Sequence, residues 1–168
     1  MVRIKTLGAD LVKSHVLVLD AGDSVIDTLT DFAGDLQLRS ASFTGIGAFR
    51  RSTLAFFDVE SKQYQNIPVD EQTEVLSLIG DIVPREDGGW QVHAHAVLSL
   101  RDGSTRGGHL RAATVRPTME IVVAESPQQL TRRFDPECGL ALIDLDGDSA
   151  IEEDPLRHGL APSNRHTP

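Results

Sequence analysis

Three histidines carry the strongest chemical signal in this sequence. His93 and His95 stand two residues apart in Trp90-Gln91-Val92-His93-Ala94-His95-Ala96-Val97-Leu98-Ser99-Leu100. In a strand, alternate side chains share a face, so both imidazoles point the same way with Cα atoms about 6.5–7 Å apart. That spacing lets both reach one ion. A third donor is His109, which follows Gly107-Gly108. Arg101-Asp102-Gly103-Ser104 reads as a hairpin turn between the two. A hairpin folded there returns His109 towards the level of His93, and the two glycines let the backbone pass close to its neighbours. Three histidines hold zinc with a fourth position left for water or substrate. Histidine pairs on strands also serve as surface or hydrogen-bonding residues; the third, at hairpin distance, turns the pattern towards a metal. His15, His158 and His166 are isolated and receive no role.

Other residues offer weaker chemistry. Arg101, Arg106, Arg111 and Arg116 fall within sixteen residues that contain one acid, Asp102. They read either as a solvated hairpin pairing with acids such as Asp58, Glu60 or Glu74, or as an anion site beside the metal, with Arg106 and Arg111 the candidates. Glu74 and Glu120 sit in apolar runs, where a carboxylate needs a partner. Each reads as a general base, an acceptor for a histidine, or a partner of an arginine. Cys138 has the acidic neighbours Asp135 and Glu137, which disfavour a thiolate. Gly45-Ile46-Gly47-Ala48 resembles a glycine-rich loop, but no helix-opening GxGxxG unit follows, which argues against a dinucleotide site.

The elements that must position these residues are mostly strands. His15 to Asp20 is a short β-rich run, ended by Ala21-Gly22-Asp23. Ser24 and Asp27 resemble a capping box. Val25, Ile26, Leu29, Phe32, Ala33 and Leu36 then recur at helical spacing, which predicts one amphipathic helix lying on a sheet. Strands follow near Ala41–Phe49, Ser52–Asp58, Thr73–Ile82, Gln91–Leu100, Met119–Ala124 and Leu140–Leu145. The spacers are mostly too short for crossover helices, so the sheet should be largely antiparallel or mixed. Ser126-Pro127 predicts a second short helix, with Leu130 and Phe134 on its apolar side. Apolar residues occupy both faces of two strands. Leu76, Leu78 and Ile82 lie opposite Val75 and Ile79, and Ile121 and Val123 lie opposite Val122 and Ala124. Two helices are too few to cover both faces of such a sheet, which points to a symmetric neighbour, the alternative being long loops or the C-terminal tail folded over that face within a monomer.

Composition sets the bounds. The chain has 168 residues, enough for one domain with its own core. A single cysteine excludes an internal disulfide and fits a reducing, cytoplasmic setting. No run approaches the ~20 apolar residues of a membrane helix. The N-terminus does not read as a signal peptide, because Asp10 and Lys13 interrupt its apolar stretch. A net charge of −9 disfavours general binding to nucleic acid. From Asp146 the sequence turns acidic and then rich in Pro, Ser, Asn and His, which reads as a flexible or docking tail, 146–168.

Taken in order, several segments resemble one family. They are Phe43-Thr44-Gly45-Ile46-Gly47-Ala48, Glu74-Val75-Leu76-Ser77-Leu78-Ile79-Gly80, His93-Ala94-His95, Gly107-Gly108-His109-Leu110 and Pro117-Thr118-Met119-Glu120. This series is similar to the PPC domain (DUF296), the plant and prokaryote conserved domain, over roughly residues 10–145. The resemblance implies an α+β fold with a largely antiparallel sheet, assembled as a homotrimer. It also implies that His93, His95 and His109 bind a metal, zinc or another divalent transition ion, one per chain. Plant members join the domain to AT-hooks, and this sequence has no Arg-Gly-Arg-Pro motif of that type. The expected function is therefore a trimeric metal-binding domain, with a hydrolase or lyase acting on a small anionic molecule as the enzymatic form. The alternative is a non-enzymatic, DNA-associated regulatory or assembly module.

Overall fold

The computed structural model describes residues 3–7, 13–85 and 88–144. The elements in chain order are β1 (Arg3–Leu7), β2 (Ser14–Asp20), α1 (Val25–Leu36), β3 (Ala41–Asp58), β4 (Gln63–Val69), β5 (Thr73–Pro84), β6 (Trp90–Ser99), β7 (Thr105–Glu125), β8 (Thr131–Asp135) and β9 (Leu140–Asp144). The expected tail, 146–168, lies outside the described residues.

Seven strands form one sheet in the order β1-β2-β7-β6-β5-β3-β4, and an added β7–β3 pairing closes β7, β6, β5 and β3 into a ring. Every pairing in it is antiparallel. Short connections allow only this arrangement. The runs expected near 41–49 and 52–58 are one strand, β3, which bends through a bulge between Gly45 and Gly47. The glycines there serve close packing. A Cβ on Gly45 would lie 2.8 Å from the Glu120 carbonyl oxygen, so this segment is a strand contact and no phosphate loop.

The helix forms where its apolar spacing placed it. Val25, Leu29, Phe32 and Ala33 are buried against Leu17, Leu19, Ala94, Leu98, Val115 and Ile121 in one core. The capping box does not form: Ser24 occupies the N-cap without a side-chain hydrogen bond. Asp23 turns back instead, and its carboxylate accepts from the Asp20 backbone N–H at 2.9 Å.

The second short helix is absent. The chain after Ser126 is tied to Ser40, whose carbonyl accepts from Ser126 N–H at 2.8 Å and whose hydroxyl accepts from Leu130 N–H at 2.7 Å. These bonds hold the segment out of a helix and deliver it into the β8–β9 hairpin, where Phe134 is exposed. The faces of β5 also differ from simple alternation. A bulge between Val75 and Ser77 resets the phase, so Val75, Leu78 and Ile82 are buried while Leu76 and Ile79 face out.

Candidate metal centre

The three histidines meet on the outer face of the ring. β6 alternates as its sequence predicts: Ala94, Ala96 and Leu98 are buried, while His93 and His95 face outward. The turn at Arg101–Ser104 folds β7 back so that His95 and His109 are direct partners across the ladder. The glycines before His109 permit the approach. A Cβ on Gly108 would lie 2.8 Å from the Ala55 carbonyl oxygen of β3. On the other flank, a Cβ on Gly80 would collide with the His93 carbonyl and the Phe43 ring, so β5 reaches β6 closely only with glycine there.

One donor atom from each histidine lies within 4.8 Å of the other two. The Nε2 atoms of His93 and His95 are 3.3 Å apart. Two nitrogens bound about 2.0–2.1 Å from one tetrahedral ion sit roughly 3.3–3.4 Å apart, so this pair already has the spacing. Nδ1 of His109 is buried with no hydrogen-bond partner, an orphaned atom of the kind that a bound ion satisfies. The residues fit a divalent transition metal.

Burial and neighbouring charge favour the neutral, ligand form of His95 and His109. Burial lowers the pKa of His95, and charge on His93 adds to this. His109 is pushed down to about 4, first by burial, then by His93, His95 and Arg111. Neutral imidazole is what a metal requires.

Residues that the sequence reading did not single out complete the surroundings. Asp81 of β5 stands opposite His93 in the ladder, with Oδ2 3.4 Å from Nδ1 of His93. Arg132 of β8 donates from Nη2 to Oδ1 of Asp81 at 2.7 Å. Burial alone would raise the Asp81 carboxyl, but hydrogen bonding to His93 and Arg132 outweighs it and holds the pKa below the usual value. Tyr64 of β4 stacks on His109 with ring centroids 4.8 Å apart, and the Arg111 guanidinium lies 5.4 Å from the Tyr64 ring. Asp81 was obscured by the bulge between Val75 and Ser77, which shifts the phase of β5. Arg132 was hidden by the expected helix.

The other candidates lie elsewhere. Glu74 and Glu120 are exposed and share a cavity of about 480 Å³ with Ile46, Gly47, Val75, Leu76 and Thr118. Glu74 is the ladder partner of Ser99, four residues along β6 from His95, which is roughly 13 Å. Arg106 is exposed opposite Leu98. Cys138 sits in the β8–β9 turn with Sγ 3.8 Å from the Asp135 carbonyl.

A helix-backed antiparallel β ring with three clustered histidines on its outer face defines the class. The profile of the Plants and Prokaryotes Conserved (PCC) domain matches residues 8–127, and the chain belongs to that family. It is the family that the ordered motifs resemble. Solved structures agree. A protein from Bacteroides thetaiotaomicron described as a candidate DNA-binding protein is 26% identical, covers 84% of this chain and 96% of its own, and superposes with a TM-score of 0.77. A similarly described protein from Ralstonia eutropha is 34% identical, with 78% and 90% coverage and a TM-score of 0.73. A protein from Archaeoglobus fulgidus described as metal-containing is 28% identical, with 86% and 98% coverage and a TM-score of 0.73. The chain is also 30% identical over 140 residues to the bifunctional protein GlmU of Synechococcus sp. (strain JA-3-3Ab). That match spans 82% of this chain and 21% of that much longer protein. Among the described residues, no helix is long and apolar enough to cross a membrane.

Proposed function

We propose that this chain is a cytoplasmic, homotrimeric metal-binding domain holding one divalent transition ion per chain, zinc by preference, on His93, His95 and His109. The observation that carries the reading is the convergence of three donor atoms within 4.8 Å, two of them on imidazoles, His95 and His109, biased towards their neutral form. The metal-containing relative from Archaeoglobus fulgidus supports it.

Three protein ligands leave a position for water or a small anionic ligand, and a zinc ion supplies Lewis acidity there when bound. Arg111, beside Tyr64 and His109, is the nearer cationic candidate for such an anion, and Arg106 the further one. Of the carboxylates, Asp81 is engaged with His93 and Arg132, while Glu74 and Glu120 line another cavity. Glu74 or Glu120 would act as a base at the ion only if a neighbouring copy brought it there.

Trimer assembly is supported by apolar residues left open on the outer face. Ile46, Leu76, Ile79, Val97 and Val122 are each more than two-fifths exposed in the single chain. A face of that kind requires cover, and the family resemblance supplies the number three.

A second reading makes the chain a DNA-associated regulatory or assembly module. The relatives from Bacteroides thetaiotaomicron and Ralstonia eutropha, by their descriptions, favour it. The net charge of −9 counts against tight duplex binding. Metal analysis of purified protein, alongside duplex titration at about 0.15 M salt, separates the two readings. Bound metal without duplex binding supports the first; metal-free protein with sub-micromolar, steeply salt-dependent duplex binding supports the second.

A further inference from the structure

We infer that Arg132 and Asp81 form a positioning pair for His93, and that the β8–β9 hairpin thereby fastens the metal centre. The inference rests on the three-histidine reading and adds the hairpin, which lies beyond the family-matched residues 8–127, to the site.

The hairpin is joined to the ring by specific bonds. Arg132 is 10% exposed. Its Nη1 donates to the Ala141 carbonyl at 2.9 Å, which locks the guanidinium to the partner strand β9. Its Nη2 donates to Asp81. Lys62 adds a second anchor by donating to the Pro136 carbonyl at 2.8 Å. The hairpin therefore presents a largely buried cation to Asp81, the carboxylate that, among the described residues, lies against a histidine of the cluster.

The geometry suits one tautomer of a metal-ligating His93. Nδ1 of His93 has two neighbours with opposite demands. Oδ2 of Asp81, at 3.4 Å, would accept a hydrogen bond from Nδ1–H, while Nη2 of Arg132, also at 3.4 Å, would donate one to a bare Nδ1. The closer partner of Arg132 Nη2 is Asp81, at 2.7 Å, and its second N–H faces Nδ1 of His93. When Nε2 of His93 ligates an ion, the ring proton sits on Nδ1, and Oδ2 of Asp81, held in place by the Arg132 bond to Oδ1, is the acceptor beside it. A carboxylate behind a ligating histidine fixes its orientation and raises its basicity, and removing such a partner costs typically 10–100-fold in metal affinity. Arg132 thus acts mainly by holding Asp81 in place.

The test is a double-substitution cycle on the full chain, read by zinc affinity against a chelator and by imidazole ¹⁵N shifts of metal-free protein. Arg132→Ala and Asp81→Ala should each weaken zinc binding about 10–100-fold. The double variant should lose no more than the worse single one. Arg132→Lys should recover part of the loss. Arg133→Ala, which removes a hairpin ion pair to Asp144 away from Asp81, should stay within about two-fold of wild type. In metal-free wild type the shifts should report the Nδ1–H tautomer of His93, and both alanine variants should move it towards Nε2–H. Unchanged affinity, additive losses, or an equal loss in Arg133→Ala would overturn the inference. If wild type binds no zinc, the three-histidine reading fails by itself. The spectra then decide: Nε2–H in wild type overturns the positioning role, and Nδ1–H that depends on both residues supports it.

Discussion

His95 and His109 are direct partners across the β6–β7 ladder, so an ion held by both would cross-link two strands joined by a single hairpin. A ligand that binds only the folded state stabilises it by about 2.7 kcal/mol at a hundred-fold excess over Kd. Zinc should therefore raise the Tm of chelator-treated protein, and His109→Ala should abolish the rise. Equal melting of the wild type with and without zinc would speak against the cross-link.

The histidines also set a pH dependence in the absence of metal. His109 titrates near 4 when folded and near 6.5 when unfolded. Between those values the unfolded chain binds more protons, so stability should fall as pH drops from about 6.5 towards 4 and be unaffected by this group above 6.5. The direction for His95 is the same. Denaturant melts at fixed protein concentration, at pH 7 and pH 5, should show a smaller loss in His109→Gln than in wild type. Identical losses would contradict the assignment.

Gly108 and Gly107 should respond differently to a methyl group. A Cβ on Gly108 meets the Ala55 carbonyl at 2.8 Å, whereas the nearest atom to one on Gly107 is 3.4 Å away. Gly108→Ala should cost about 1–3 kcal/mol and weaken metal binding by displacing His109. Gly107→Ala should stay within about 0.5 kcal/mol. Melts of the two variants, with zinc titrations, check both.

The outward apolar residues make the assembly testable. Light scattering should give a mass near three times the 18.3 kDa chain. Ile46 and Leu76 are 61% and 54% exposed in the single chain and line one cavity. Replacing both with Lys should leave the fold intact by circular dichroism and lower the mass. A wild-type monomer at micromolar concentration would refute the assembly, and a stable dimer would refute only the number.

The parts of the site that follow a local period could be read directly. Alternation along β6 put His93 and His95 on one face, and the Asp102-Gly103 turn with Gly107-Gly108 brought His109 to them. What escaped depends on contacts distant in sequence. Ser40 captures residues 126 and 130 and overrides the local Ser-Pro helix signal, which carried Arg132 out of view. The bulge at Val75/Ser77 shifts the phase of β5, a change that no pattern of residue types announces. Tyr64 reaches His109 only because β4 pairs with the far half of β3.

Metal content tests the central claim most directly. Protein purified from zinc-supplied cells without chelator should contain close to one zinc or similar ion per chain by elemental analysis, and His95→Ala, folded by circular dichroism, should contain almost none. Wild-type protein free of metal, or a His95→Ala variant that keeps its full complement, would contradict the account.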